Sequence, residues 1–169
     1  YFRIMIAPVI FLYITFFEYY GWALVFFVLA SISDYWDGFL ARKYDLESVL
    51  GAVIDPIADK ILITFLVIAL SIELSSIFIG LVGGLILVRE FWVGALRDLN
   101  ARKGTTDATK VTFLAKMKTA IQFLTFFCFL LGLFLDSALI LFISNFLLFI
   151  ALITTLQTGL SYTISTFKR

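Results

Sequence analysis

Six long apolar stretches, separated by short polar segments, make up most of the chain. They cover residues 4–17, 22–40, 49–72, 77–96, 112–135 and 138–164, with links near 18–20, 43–48, 74–76, 97–110 and 136–137. A helix that crosses a bilayer needs about 20 mostly apolar residues. The pattern therefore predicts an all-α integral membrane protein with six transmembrane helices in one domain over residues 1–169. Because the chain starts at Tyr1 without Met, we expect that an N-terminal piece is missing.

The composition supports a membrane protein and limits its chemistry. Hydrophobic residues make up 62% of the chain and charged residues 15%, whereas soluble domains are about one quarter charged. The chain has no histidine and a single cysteine, Cys128. These absences exclude Ser-His and Cys-His triads, imidazole-bound zinc and thiolate clusters. A metal site here must use oxygen ligands, which favours Mg²⁺, Mn²⁺ or Ca²⁺.

The charges predict an orientation in the membrane. The first, third and fifth links carry Glu18, Glu73 and Asp136 and no Lys or Arg. All 13 basic residues lie on, or lean toward, the opposite side. Since Lys and Arg mark the cytoplasmic face, we expect both termini and the second and fourth links to be cytoplasmic.

Four aspartates lie near the predicted cytoplasmic ends of the second and third helices. Asp34 and Asp37 are three residues apart, and Asp55 and Asp59 are four apart. Each spacing places two side chains on one helical face. Ionised carboxylates in a membrane are costly and are usually functional. Four of them need a counter-charge, and one or two divalent ions would supply it, a device that suits phosphoryl chemistry.

The residues between the aspartate pairs suggest a phosphate-containing ligand. Gly38, Ala41 and Gly51 lack bulky side chains, which allows either close helix packing or close approach of a ligand to the backbone. Arg42 lies at the predicted membrane surface, where it could clamp a phosphate. Ser48 could donate a hydroxyl there.

Taken together, residues 34–59 have the form D-x2-D-G-x2-A-R-x8-G-x3-D-x3-D. This pattern resembles the signature of the CDP-alcohol phosphatidyltransferase family at all eight fixed positions. The resemblance implies a six-helix fold, a homodimer, a site that opens to the cytoplasm and two Mg²⁺ or Mn²⁺ ions.

The resemblance also implies roles for individual residues. Asp34, Asp37 and Asp55 would hold the first metal ion, and Asp34, Asp55 and Asp59 the second. Asp59 would double as the base that takes the proton of the acceptor hydroxyl. The CDP group would bind at the intervening positions, namely Gly38, Ala41, Arg42, Ser48 and Gly51.

A second polar region on the fourth and fifth helices bears on the acceptor. On the fourth helix, Glu90 and Arg97 are seven residues apart and share a face, so one could orient the other. On the fifth, Lys118, Gln122 and Thr125 are spaced four and three apart and form a polar stripe in an otherwise apolar helix.

Arg89 and Lys118 lie inside apolar stretches, so each needs an anion. With the aspartates committed to metal, an anionic acceptor is favoured. The segments R-E-x6-R at 89–97 and K-x-K-T-x2-Q at 116–122 resemble the branch of the family that makes phosphatidylglycerophosphate, although Ala115 stands where that branch has glycine.

That likeness implies transfer of a phosphatidyl group from CDP-diacylglycerol to sn-glycerol 3-phosphate, with release of CMP after direct attack by the acceptor hydroxyl. The expected ligands of the acceptor phosphate are Arg89, Arg97 and Lys118, and more weakly Lys110 and Lys116. The partners are then these two substrates, membrane lipids and a second copy of the chain, and no nucleic acid. We expect a multi-pass protein of the bacterial cytoplasmic membrane.

Three alternatives remain open at this point. The first is a family member with another acceptor: inositol phosphate, serine or phosphatidylglycerol. The second is a divalent-cation transporter, which polar residues confined to one half of the helices disfavour. The third is an inactive scaffold, which would leave four aspartates idle.

Overall fold

The computed structural model describes residues 2–44, 49–104 and 113–168. Within the helices it gives the backbone but not the side chains of residues 34, 35, 37–42, 49–53, 55, 113, 115 and 116. Over these described ranges the chain forms six helices and no strand. They are α1 (Phe2–Thr15), α2 (Tyr20–Lys43), α3 (Val49–Glu73), α4 (Ile77–Arg102), α5 (Phe113–Phe134) and α6 (Ala138–Phe167).

The helix bounds follow the apolar stretches closely, with one exception. The fourth link was expected to begin at Arg97, but α4 continues to Arg102, so that boundary is wrong. The guanidinium of Arg102 donates to the carboxylate of Asp98 at 3.0 Å, one helical turn earlier. Such pairs support a helix beyond its apolar part. Hydropathy predicts where a membrane segment ends and not where its helix ends.

The helices are joined in three hairpins, α1–α2, α3–α4 and α5–α6. Each hairpin turn contains one non-glycine residue with positive φ: Glu18 at 53°, Ser75 at 45° and Asp136 at 47°. In the second turn the amide of Ser76 donates to the carbonyl of Ser71 at 3.0 Å, which satisfies a carbonyl at the end of α3. The turns are therefore tight, and the paired helices lie side by side.

Packing among the described residues arranges the three hairpins in a closed ring. Going round it, the order is α1, α2, α5, α6, α4, α3 and back to α1. Thus α1 packs against both α2 and α3, and α6 packs against both α4 and α5. These two helices therefore connect the elements that carry the predicted functional residues.

The ring is filled by aliphatic and aromatic side chains, and small residues let the helices approach closely. Five of the alanines that the structure describes are completely buried: Ala7, Ala23, Ala30, Ala69 and Ala151. Large apolar side chains also cover the outer surface, where Ile77 is 87% and Phe142 is 73% exposed. An apolar exterior of this kind suits a lipid environment.

Length and composition alone allow three helical segments of the described chain to cross a membrane. These are Ile77–Arg102, Met117–Phe134 and Ala138–Phe167. Phe2–Thr15 and Tyr20–Ser33 are shorter apolar segments. The all-helical prediction is confirmed for the described chain, and six complete spans stay a prediction.

Candidate active site

The four predicted metal-binding aspartates lie on two helices. Asp34 and Asp37 belong to α2, and Asp55 and Asp59 belong to α3. Only the Asp59 side chain is among those described. Within the described side chains no group of three or more His, Cys, Asp or Glu could hold a metal ion. The metal set therefore stays a prediction.

Asp59 pairs with a cation from the first helix. Its carboxylate is 38% exposed and accepts a hydrogen bond from Nη1 of Arg3, whose side chain is buried. Because α1 packs against both α2 and α3, Arg3 lies on the helix that connects the two aspartate-bearing elements. The fold thus supplies a positive charge beside the predicted base.

At the predicted CDP-binding positions of α2 and α3 the structure describes the backbone and not the side chains. Gly38, Ala41 and Arg42 belong to α2 and Gly51 to α3. Ser48 falls in the segment 45–48, outside the described residues.

The predicted acceptor residues Arg89 and Lys118 come together in the fold. Lys118 is buried on α5, and its Nζ donates to Oε1 of Glu90 on α4. Nη1 of Arg89 donates to the same oxygen at 3.0 Å. Among the described side chains, one carboxylate therefore serves two buried cations, which leaves an excess of positive charge there.

The Arg89 side chain is also held by α6. Nη2 donates to the hydroxyl of Thr158 at 2.5 Å. Gly159 lies so close that a Cβ placed there would be 3.0 Å from both Cγ and Nε of Arg89. Nε itself is buried and has no hydrogen-bond partner in the described part of the chain.

Of the other three predicted cations, Arg97 is the one whose side chain the structure describes. Arg97 is exposed, with its Cζ 5.8 Å from the ring centroid of Tyr162, and it lies within electrostatic range of Arg89 and Lys118. Glu90, which the spacing suggested as a partner for Arg97, contacts Arg89 and Lys118 instead. Lys116 belongs to α5 but its side chain is not described, and Lys110 lies outside the described residues.

Sequence reasoning missed the contribution of α6. Thr155, Thr158, Tyr162 and Thr166 are all buried, and their spacing of three, four and four places them on one face. The same kind of polar spacing on α5 had identified Lys118, Gln122 and Thr125, all of which are buried in the structure. The same spacing was therefore present on α6. A threonine hydroxyl can bond to the backbone of its own helix, so it signals a functional site less strongly than a lysine, which needs an anion.

Comparison with known proteins gives a consistent result. The model of the CDP-alcohol phosphatidyltransferase family matches residues 1–157. Three relatives bear the name CDP-diacylglycerol–glycerol-3-phosphate 3-phosphatidyltransferase. The one from Rickettsia felis is 39% identical over 168 residues, which cover 95% of this chain and 88% of the relative. That from Wigglesworthia glossinidia brevipalpis is 34% identical over 128 residues, covering 75% and 70%. The Salmonella choleraesuis protein is 32% identical over 125 residues, covering 72% and 68%. This chain belongs to the CDP-alcohol phosphatidyltransferase family.

Proposed function

We propose that this enzyme transfers a phosphatidyl group from CDP-diacylglycerol to sn-glycerol 3-phosphate, giving phosphatidylglycerophosphate and CMP. Family membership supports the transfer reaction and sets aside the transporter and scaffold alternatives. The relatives named for this reaction support the choice of acceptor.

The observation that carries the acceptor assignment is the pair of buried cations that share Glu90. Arg89 and Lys118 are each only 7% exposed, and one carboxylate cannot balance two cations. Unpaired charge in a membrane interior is costly, so the binding of a phosphate monoester there is favourable. Arg also presents a planar set of donors that suits phosphate oxygens. An uncharged acceptor would leave this positive charge unbalanced.

The four aspartates suit the divalent-metal dependence that is general in the family. Carboxylate oxygens are the donors that Mg²⁺ and Mn²⁺ prefer, and the exposed part of the Asp59 carboxylate is accessible from outside the bundle. We assign two Mg²⁺ or Mn²⁺ ions to Asp34, Asp37, Asp55 and Asp59. When bound, such ions screen the pyrophosphate charge and stabilise the departing CMP.

The chain's own residues account for the remaining steps. Arg89 and Lys118, with Arg97, Lys110 and Lys116 nearby in sequence or space, bind the acceptor phosphate. Asp59 takes the proton of the acceptor hydroxyl, and Arg3 holds its carboxylate. The hydroxyl oxygen forms a bond to the lipid-side phosphorus while the bond from that phosphorus to the CMP oxygen breaks. Gly38, Ala41, Arg42, Ser48 and Gly51 bind the CDP group.

The charge distribution supports an orientation for this site. We assign six membrane spans to the chain. We place both termini, the aspartates and the cations of α4 and α5 on the cytoplasmic side, because the basic residues gather there. The location proposed is the bacterial cytoplasmic membrane. We also assign residues 1–169 to one domain that works as a homodimer, as the resemblance implies.

An acceptor panel tests the assignment. Detergent-purified protein is supplied with CDP-diacylglycerol, Mg²⁺ and one acceptor at a time, and CMP release is measured. We expect turnover with sn-glycerol 3-phosphate and little with serine, phosphatidylglycerol or inositol phosphate. An active preparation that uses another acceptor and ignores glycerol 3-phosphate would overturn the proposal.

A further inference from the structure

Helix α6 carries none of the recognised family motif, yet it contacts the cation on which acceptor binding depends. We propose that Thr158 and Gly159 are positioning residues that fix the Arg89 guanidinium in the orientation that receives the acceptor phosphate. The inference rests on the proposed function, because it takes Arg89 as a ligand of that phosphate.

The hydrogen bond from Arg89 to Thr158 has a defined direction. The Thr158 hydroxyl donates its proton to main-chain carbonyls one turn back, at 2.9 Å from both Thr154 and Thr155. Its oxygen lone pairs are then free to accept from Nη2 of Arg89. Thr158 is only 4% exposed and the contact is buried, so water does not compete with it. Thr158 therefore holds one end of the guanidinium.

Gly159 provides the space for the Arg89 side chain. A methyl group there would press on Cγ and Nε at 3.0 Å, a separation at which the arginine has to move. Glycine weakens a helix relative to alanine, and φ at residue 159 is not in the left-handed region that would call for it. Close passage of the Arg89 stem is the reason that the structure gives for glycine at this position.

Together these contacts hold the guanidinium from two sides. Nη1 is bound to Glu90 on α4 and Nη2 to Thr158 on α6, which fixes its plane. Buried Nε has no partner in the residues that the structure describes, and a buried N–H without a partner is costly. A phosphate that binds at the guanidinium accepts hydrogen bonds from N–H groups whose direction is already fixed. The Arg89 side chain therefore loses less conformational freedom on binding.

A matched control lies two turns further along the same helix. The Thr166 hydroxyl accepts from Nδ2 of Asn100 on α4 at 2.9 Å, and both residues are buried. Thr166→Val therefore removes another buried α4–α6 hydrogen bond to a threonine hydroxyl, here from a neutral donor, without touching Arg89. If KM for glycerol 3-phosphate rises in Thr158→Val and not in Thr166→Val, the cause is the lost contact with Arg89 and not a weaker contact between α4 and α6.

The test measures KM for glycerol 3-phosphate, KM for CDP-diacylglycerol and kcat on purified variants. Loss of a hydrogen bond to a charged group is worth about a tenfold change in an equilibrium. We expect Thr158→Val to raise KM for glycerol 3-phosphate about five- to tenfold while KM for CDP-diacylglycerol changes less than about twofold. Thr158→Ser should restore the parent value, and Gly159→Ala should raise the same KM several-fold.

The outcomes separate the two proposals. If the parent protein shows no turnover with glycerol 3-phosphate, the proposed function fails. If the parent is active but Thr158→Val and Thr166→Val have the same KM values, the positioning role fails. Should Thr158→Val not accumulate as folded protein, Gly159→Ala decides: a raised KM for glycerol 3-phosphate alone supports the role, and an unchanged one overturns it.

Discussion

The aspartate end of α2 and α3 and the cation cluster of α4, α5 and α6 are built in different ways. The aspartates belong to one stretch of sequence, residues 34–59, with fixed spacing on two consecutive helices. The cation cluster draws residues 89, 90, 118, 158 and 159 from three helices. The proposed metal site is thus encoded locally, while the proposed acceptor site depends on tertiary packing.

The largest effect is expected on kcat, from a substitution among the aspartates. Asp59→Asn removes the proposed base while nearly preserving the shape of the side chain. General base catalysis contributes about 10²–10⁴-fold, so kcat should fall by at least about 10²-fold with CDP-lipid binding largely retained. CMP release and binding of CDP-diacylglycerol measure the two effects.

A matched control for Asp59→Asn is Asp98→Asn. Asp98 is 63% exposed and pairs with Arg102 on the surface of α4. This variant should keep near-parent turnover. Near-normal activity in Asp59→Asn would refute the role of Asp59 as base and leave the aspartates with metal binding alone.

A smaller effect, mainly on stability, is expected from Glu90→Gln on the cation side. Breaking a buried ion pair by removing one partner costs about 3–5 kcal/mol, because Arg89 and Lys118 would then repel each other without a counter-charge. On the proposed assignment, glycerol 3-phosphate binds this cluster in the folded state and supplies the missing anion. The unfolding midpoint in detergent should therefore fall. Addition of glycerol 3-phosphate should raise the midpoint of Glu90→Gln by more than it raises the midpoint of the parent protein.

Glu73→Gln is the control for this substitution. Glu73 accepts a hydrogen bond from Tyr20 at 2.5 Å and has no part in the cation cluster. Its replacement should lower the midpoint without any added response to glycerol 3-phosphate. An equal response in both variants would show that Glu90 does not balance the cations.

The smallest effect is expected far from both regions, in the turn between α3 and α4. Ser75 has a φ of 45°, and the left-handed conformation costs an L-residue about 1–2 kcal/mol. Glycine avoids this cost but loses more entropy on folding. Ser75→Gly should raise stability by about 0.5–1 kcal/mol and leave both KM values unchanged.

The neighbouring serine gives the opposite sign. The Ser76 side chain accepts from the amide of Ile79 at 3.3 Å at the start of α4, and loss of such a cap costs about 1 kcal/mol. Ser76→Ala should therefore lower the unfolding midpoint. A change in KM for either substrate in these variants would mean that the turn is coupled to the substrate sites.

The sequence predicted the features that depend on local spacing. Apolar length gave the six helices, and the spacing of Asp34, Asp37, Asp55 and Asp59 gave the metal proposal. The end of α4 was misjudged because the pair Asp98–Arg102 extends the helix past its apolar part. The local pattern therefore predicts which segments form helices, but it predicts the ends of those helices less accurately.

Partners that are distant in sequence could not be predicted in the same way. Nothing in the spacing of Arg3 and Asp59, 56 residues apart, indicates their contact. The bond from Arg89 to Thr158 spans 69 residues. Glu90 was paired in prediction with Arg97 on its own helix, whereas packing brings Lys118 of α5 to it. Such contacts follow from the order of helices round the ring, which the pattern along the chain leaves open.

The position of α6 between α4 and α5 has a consequence for altering this enzyme. The helix touches Arg89, the proposed acceptor ligand, but carries none of the aspartates proposed to perform the transfer. We therefore expect libraries at residues 155, 158, 159 and 162 to change acceptor preference while the aspartate signature is left intact. On this assignment selectivity and reactivity lie on separate helices, and each can be evolved without rebuilding the other.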